Sequence, residues 1–338
     1  MIISRAPLRI SFVGGGTDLA AFYQISPGRV ISASIDKYVY VAINPTPLIN
    51  KVTARYSVVE GVNHARELKN DRIREALLDL GIENNIEVGT FSHLPVGTGL
   101  GASSSFAVAL MKGLYACLGK RIDRKEAAEL ACRLEIQLVK EPIGKQDQYA
   151  AAFGGFNIFQ FNPDESVDVE PVLLDYKKRL DLEDHIILFF TGITRAASDV
   201  LVEQKANVSE KINTLKEMAD SVLPFKERLL AGDFKGMGEM LHQGWLKKKT
   251  LASKVSNKII DEFYDAGMNY GAWGGKILGA GGGGCILFLA PLEKKEAIKE
   301  ALKDIANKNN LNDFKEVPVR FMQSGVEILS TDGININH

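Results

Sequence analysis

From Ile2 to Val13 apolar and polar positions alternate closely enough for extended backbone, and Pro7 predicts a break into one or two strands. Gly14, Gly15 and Gly16 stop this run. Two β-type runs, Val30-Ile31 and Tyr38 to Ile43, fall within 29–45, and Val52 to Val59 predicts another strand. Helical spacing takes over at 66–80, with Gly81 as its stop. A short strand is expected at 86–91, an apolar helix from about Ser103 to Leu118, a helix over 124–140 capped by Asp123, and a short helix at 144–153. Gly154-Gly155 breaks the last of these, and strands are expected at 156–161 and 185–191. The stretch 196–270 is almost wholly helical in pattern, from Leu201 through Met218 and Leu241 to Phe263. A strand at 285–289, a helix at 293–307, short strands at 317–322 and 325–329 and a polar tail follow. A β-rich front and a helix-rich back predict an α+β protein. No linker marks a boundary; the change of pattern lies within 155–190, and we divide the chain into 1–170, 171–330 and a tail, 331–338.

Composition narrows the function. The chain has 338 residues, and 41 Lys+Arg against 42 Asp+Glu leave a formal charge of −1. That argues against bulk attraction to nucleic acid or an anionic membrane, while a local basic pocket stays open. Cys117, Cys132 and Cys285 are too dispersed for a disulfide framework or a Cys-x-x-Cys metal pair. The histidines are equally scattered. No apolar run reaches the ~18 residues of a membrane span, and the first residues lack the pattern of a secretory signal. A cytoplasmic enzyme acting on a small molecule, with no nucleic-acid or membrane partner, is the expectation; the oligomeric state is not legible. Of more use are the 31 glycines, because they cluster.

Gly97, Gly99 and Gly101 stand directly before the helix expected from Ser103. Glycines there let backbone approach an anion closely, and the helix start offers free N–H groups and the positive end of its dipole. Ser103, Ser104 and Ser105 can cap the helix, touch phosphate or bind a metal ion. The plainer alternative is a tight turn with a serine cap. The loop is not a Walker A sequence; it matches Gly-x-Gly-x-x-Ala, but no regular βαβ series surrounds it. A second cluster, Gly279 to Gly284, precedes a strand, so the dinucleotide geometry fails there. It is expected to lie against something bulky, a substrate or another loop. Glu135 and Asp147 complete the chemistry-bearing set. Glu135 can ligate Mg²⁺ together with a serine, and Asp147 can accept a proton from an attacking hydroxyl. A solvent-facing helical glutamate and a capping aspartate remain the alternatives.

Three segments together resemble the family containing galactokinase, homoserine kinase, mevalonate kinase and phosphomevalonate kinase, the GHMP kinases. They are Arg5-Ala-Pro-Leu-Arg9-Ile with Gly14-Gly15-Gly16-Thr17-Asp18, Pro95 through Ser105, and Lys276 through Cys285. The resemblance implies a ribosomal-protein-S5-like N-terminal domain and a ferredoxin-like α/β C-terminal domain. It implies ATP and Mg²⁺. It places the ATP phosphates on Pro95, Gly97, Thr98, Gly99, Leu100, Gly101, Ala102, Ser103, Ser104 and Ser105, and the metal on Ser103 and Glu135. It makes Asp147 the base and Arg9 the cation that polarises the reacting hydroxyl. Gly15, Gly16, Thr17, Asp18, Gly281 and Gly282 would meet the acceptor, Asp18 through sugar hydroxyls.

Galactokinases and mevalonate kinases usually carry Gly-Glu-His where this chain has Gly14-Gly15-Gly16, which argues against both substrates. The Gly-Gly-Gly-Thr-Asp segment, Ile35-Asp36-Lys37-Tyr38 and Thr191-Gly192-Ile193-Thr194-Arg195 resemble instead the branch that phosphorylates sugars at the anomeric position. The implied acceptor is D-glycero-D-manno-heptose 7-phosphate and the product its 1,7-bisphosphate, used in making nucleotide-activated heptose. A fucokinase-like activity, or a binding protein that senses sugar and nucleotide, are the alternatives. A phosphorylated acceptor needs cations, since a phosphate buried without partners is costly. Arg195 is the first candidate, with Lys140, Lys145 and Arg133 behind it.

Overall fold

The computed structural model describes residues 1–194 and 197–331. Its first sheet has eight strands. Strand β1 (Ile2–Val13) lies against β2 (Gly28–Pro45), and helix α1 (Ala20–Tyr23) sits in the connection between them. β1 is not broken at Pro7, and the two β-type runs of 29–45 form one strand of 18 residues. Proline lacks an N–H for the ladder; the β1–β2 register shifts between Pro7 and Arg9, which absorbs the gap without ending the strand. β3 (Val52–Arg55) and β4 (Val59–Val62) form a hairpin, where one strand was expected, and β3 runs parallel to β5 (Ile86–Ser92). Between them lies helix α2 (Asp71–Asp79), capped by the Asn70 side chain on the Ile73 N–H. It is shorter than the pattern implied, because residues 65–67 form a separate 3₁₀ turn.

Helix α3 (Ala102–Cys117) packs against β1 and β2. Helix α4 (Arg124–Cys132) starts with a full capping box between Asp123 and Glu126. The helix expected over 124–140 then changes character: Arg133–Leu138 is a π-helical turn, and the helix ends there. Helix α5 (Gln146–Phe153) precedes β6 (Phe156–Phe161) and β7 (Val167–Pro171), a pair that extends the sheet from β2.

The second sheet holds β8 (Ile186–Phe190), β9 (Gly274–Ile277), β10 (Cys285–Leu289) and β11 (Lys315–Glu316), in the order β11-β8-β10-β9 and all antiparallel. Helix α6 (Tyr176–His185) leads into β8. Between β8 and β9 run α7 (Ala197–Asn207), α8 (Ile212–Asp220), α9 (Val222–Ala231), α10 (Phe234–Lys249) and α11 (Lys258–Asn269). Helix α12 (Lys295–Lys308) packs on α11. The strand expected over 317–322 is absent: the sheet stops at Glu316, and only Phe321 bridges, to Ile35. The last strand, β12 (Glu327–Thr331), returns to the first sheet and pairs with β1.

One apolar core lies between the first sheet and α2 to α5. A second joins the two sheets and includes Leu8, Ile10, Phe12, Phe156, Phe225, Leu278 and Leu287. Phe12 is central to it, with ring centroids 5.4 Å from Phe225 and 6.3 Å from Phe156. Burying such a ring contributes roughly 1.5–3 kcal/mol, so alternate residues of β1 hold the two sheets together while the strand carries Arg9. Among the described residues no helix is long and apolar enough to cross a membrane.

Candidate active site

A cavity of about 590 Å³ opens where β1, the first glycine loop, the starts of α3, α5 and α7, the end of α10 and the second glycine loop converge. Gly97, Gly99 and Gly101 take φ values of +84°, +75° and +79°, a backbone region that glycine enters without strain. Crowding adds a second reason for glycine at 99, since a Cβ there would stand 2.4 Å from the Leu278 carbonyl oxygen. The loop delivers Gly101 as N-cap of α3. The first N–H bonded within that helix is that of Ser105, on the Gly101 carbonyl at 2.9 Å. The N–H groups of Ala102, Ser103 and Ser104 therefore have no helical acceptor, and these three residues line the cavity. Gly97, Thr98, Gly99 and Gly101 line it as well, and the buried Thr98 hydroxyl has no partner. Pro95, Leu100 and Ser105 do not line it. Leu100 belongs to the core between the sheets, and Ser105 donates its hydroxyl to the Pro7 carbonyl at 2.8 Å.

Arg9 reaches across from β1. Its Nε donates to Asp147 Oδ1 at 2.8 Å and its Nη2 to Asp147 Oδ2 at 2.7 Å, a two-pronged pair, while Nη1 donates to the Gly99 carbonyl at 2.7 Å. Arg9 is buried; Asp147, in the first turn of α5, keeps about a quarter of its side chain open toward the cavity. Asp18 faces the same space. Its carboxylate accepts the Gly16 N–H at 3.1 Å and the Gln146 N–H at 3.3 Å, and burial together with the charge of Asp147 pushes its pKa up. Gly144 makes room for it: a Cβ at 144 would fall 2.0 Å from Asp18 Oδ2. Gly15 and Gly16 line the cavity, but Thr17 is structural, its hydroxyl donating to the carbonyls of Gly14 and Arg29 at 2.8 Å each.

The second glycine cluster meets the other loop, as one of its two readings expected. The Cys285 N–H donates to the Thr98 carbonyl at 2.8 Å. Gly281 and Gly282, expected at the acceptor, do not line the cavity; both pack on Val255, whose carbonyl accepts the Gly282 N–H at 2.7 Å. Gly279 and Ala280 line the cavity instead.

Glu135 is neither solvent-facing nor free. The π-helical turn directs it inward, where it is fully buried. Its Oε1 accepts from Ser103 Oγ at 3.0 Å and from Arg72 Nε at 2.9 Å, and its Oε2 from Gln148 Nε2 at 2.7 Å. The other amide atom, Gln148 Oε1, is a buried acceptor without a donor. Among the described residues no group of three or more His, Cys, Asp or Glu could hold a metal ion. Mg²⁺, however, is commonly bound through one or two carboxylates plus substrate phosphates and water. Of Ser103, Glu135 and Gln148 only Ser103 lines the cavity; Glu135 and Gln148 lie buried directly behind it, so the carboxylate, hydroxyl and unpartnered amide oxygen that fit that ion meet at the cavity wall.

Cations at the cavity are Arg9, Arg72, Lys248 and Lys276. Arg72 also donates to Glu141 at 3.1 Å. Lys276 donates to the carbonyls of Ser11 and Phe12 at 3.0 and 2.7 Å, and burial, then Lys248, lowers its pKa well below the ordinary lysine value. The Lys248 ammonium donates to the Gly279 carbonyl; burial, then Arg9, lowers its pKa to about 8. Lys140, Lys145 and Arg133 do not line the cavity. Arg133 pairs with Asp79 on the surface, and Lys145 with Glu165 at 2.5 Å. Arg195 lies outside the described residues.

The arrangement can hold a polyanion at the α3 start, neutralise charge beside it, and present a carboxylate to a hydroxyl placed between. The family described as GHMP kinases N terminal domain matches residues 63–155, and GHMP kinases C terminal matches 225–308, together more than half of the chain. The D-glycero-alpha-D-manno-heptose 7-phosphate kinase of Campylobacter jejuni is 29% identical over 319 residues, covering 89% of this chain and 93% of that protein. The bifunctional fucokinase/GDP-fucose pyrophosphorylase of Arabidopsis thaliana is 27% identical over 89% of this chain but only 31% of its own length. The crystal structure of a D-glycero-D-manno-heptose 1-phosphate kinase from Bacteroides thetaiotaomicron superposes with a TM-score of 0.79 at 25% identity, covering 98% of this chain and 99% of that one. With both domains matched in order and the α+β fold shared from end to end, the chain belongs to the GHMP kinases.

Proposed function

We propose that this protein is an ATP-dependent sugar kinase that phosphorylates the anomeric hydroxyl of D-glycero-D-manno-heptose 7-phosphate, giving the 1,7-bisphosphate. The observation that carries the reading is the Arg9–Asp147 pair, which lies against Gly101 and lines the same cavity as the open N–H groups of α3. The glycine loop and the first turn of α3 hold the ATP phosphates. Ser103 and Glu135 hold Mg²⁺, which when bound neutralises charge on the nucleotide. Asp18 accepts from sugar hydroxyls. Asp147 takes the proton of the attacking hydroxyl as its oxygen bonds to the γ-phosphorus and the bond to the β–γ bridging oxygen breaks, releasing ADP. An anomeric hydroxyl is more acidic than an ordinary alcohol, so an aspartate suffices as base. The names of the Campylobacter and Bacteroides relatives support a heptose acceptor but differ in where its phosphate stands.

A panel of acceptors decides: heptose 7-phosphate, heptose 1-phosphate, unphosphorylated heptose, fucose and galactose, with ADP release as readout and NMR assignment of the product. Turnover fastest with the 7-phosphate and new phosphate at C1 is expected. Fastest turnover with fucose, or with heptose 1-phosphate, overturns the substrate.

A further inference from the structure

Lys248 is the penultimate residue of α10 and is 6% exposed. A lysine this buried is costly unless paired, because desolvation disfavours its charge. Among the described residues it forms no ion pair; its ammonium meets only the Gly279 carbonyl. Its neighbours Lys247 and Lys249 behave differently, with salt bridges to Glu217 and Asp261 nearer the surface. Lys248 instead lines the cavity.

Its position there is defined by what surrounds it. Gly279, which holds the ammonium, abuts Gly99, and the Gly99 carbonyl holds Arg9. The charged groups that act on Lys248 are Arg9 from β1, Asp18 from the turn after β1 and Asp147 from α5. Lys276 of β9 lies near enough for the two ammonium groups to repel. Lys248 thus stands among basic groups with no carboxylate bonded to it among the described residues. Helix α7 supplies an unsatisfied donor to the same cavity. Gln204 of α7 is 5% exposed and lines the cavity, and its Nε2 has no acceptor. Asn207 Nδ2 on the Leu251 carbonyl at 3.0 Å, and the Ser253 N–H on Glu203 at 2.7 Å, tie α7 to the segment that follows Lys248.

We propose that Lys248 contacts an oxygen of the phosphoryl group while it passes from nucleotide to acceptor, making it a catalytic cation supplied by the C-terminal half of the chain. The inference rests on the kinase reading above but not on the identity of the sugar. Lys248 keeps its proton through the step; it adds charge where the transferring group is most exposed between donor and acceptor, with Gln204 donating beside it. A cation aimed at charge that develops only in transit affects turnover more than binding.

The experiment compares wild type, Lys248→Met, Lys248→Arg and Lys247→Met, each checked by thermal melting. ADP affinity is measured with and without aluminium fluoride, whose complex with ADP imitates the phosphoryl group in transit. Wild type should bind ADP more tightly with aluminium fluoride. Lys248→Met should lose that gain while keeping its affinity for ADP alone, and should lower kcat by roughly 10²–10³ with KM nearly unchanged. Lys248→Arg should restore part of both, and Lys247→Met should resemble wild type. Because burial and then Arg9 bring the Lys248 pKa down to about 8, kcat/KM of wild type should fall above that pH, and Lys248→Arg should move the fall upward. A full aluminium fluoride gain in Lys248→Met overturns the proposal, as does a loss confined to KM. No turnover of any acceptor by wild type, together with no aluminium fluoride gain, would instead remove the kinase reading itself.

Discussion

Arg9 and Asp147 lie 138 residues apart in the chain, yet their side chains meet through two parallel hydrogen bonds of 2.8 and 2.7 Å. The pair joins β1 to α5, and through the Gly99 carbonyl it also reaches the glycine loop. Asp147→Asn keeps the size and one acceptor of the side chain but removes the proton acceptor. Turnover should fall by ~10²–10⁴, the usual range for a lost acid/base group, with ATP affinity within a few-fold of wild type. Undiminished kcat in steady-state assays would take Asp147 out of the mechanism.

Ser103 and Ser105 sit two residues apart on α3 and face different partners, Glu135 for one and the Pro7 carbonyl for the other. Ser103→Ala should raise the Mg²⁺ concentration needed for half-maximal activity. Ser105→Ala should leave that titration in place and lower the melting temperature, at a cost of about 1 kcal/mol for one hydrogen bond. Identical Mg²⁺ curves for Ser103→Ala and wild type would refute the ligand role.

Gly99 combines a φ of +75° with a would-be Cβ contact of 2.4 Å to the Leu278 carbonyl. Gly99→Ala must shift one glycine loop against the other. A loss of roughly 1–3 kcal/mol in stability is expected from the backbone strain, and ATP affinity should fall with it. Calorimetric unfolding and nucleotide titration of the same preparation check both; a variant normal in each would show that the two loops separate freely.

Glu165 acts at a distance from the chemistry. Burial raises its pKa, but hydrogen bonds from Lys145, Tyr23 and Gln24 outweigh that and bring it to about 2. A carboxyl depressed in the folded state stabilises fully above its unfolded value of 4.5, and that contribution is lost as pH falls toward 2. Lys145 is the N-cap residue of α5, so the contact bears on the helix that carries Asp147. Glu165→Gln should lower the melting temperature at pH 7 slightly, because half of the side chain is exposed. The difference from wild type should shrink between pH 4.5 and 2. A constant difference over that range would assign the effect to packing.

Much of this site is legible in linear order because its parts stand at the ends of elements. Glycines before an apolar helix, and an aspartate at a helix start, follow from local backbone chemistry, and the structure brings the two stretches 97–99 and 101–104, with Arg9, Asp18 and Asp147, to one cavity. Lys248 and Gln204 give no such signal. Lys248 sits in a run of three lysines at the end of α10, a pattern that reads as a solvated helix terminus, yet the middle one is buried, with its ammonium on the Gly279 carbonyl of the second glycine loop. Glu135 lies between these cases. Its type and offset are visible, but its inward direction depends on a π-helical turn that the apolar spacing of 124–140 does not announce. Pro7 misleads for a related reason, since a register shift lets the strand continue past it.

The order in which the chain leaves the ribosome has a bearing on when this site can exist. Ile2 to Arg5 hydrogen-bond on one side to β2 and on the other to residues 327–331. Until the far end has been synthesised, that side of the first strand is an open edge, able to recruit stray strands. The Lys276 ammonium, which fastens Ser11 and Phe12, likewise arrives about 265 residues later than the carbonyls it holds. The strand bearing Arg9 thus emerges well before the segments that enclose it, so a chain released before residues 327–331 would keep the cavity's residues but not the framework that aligns them.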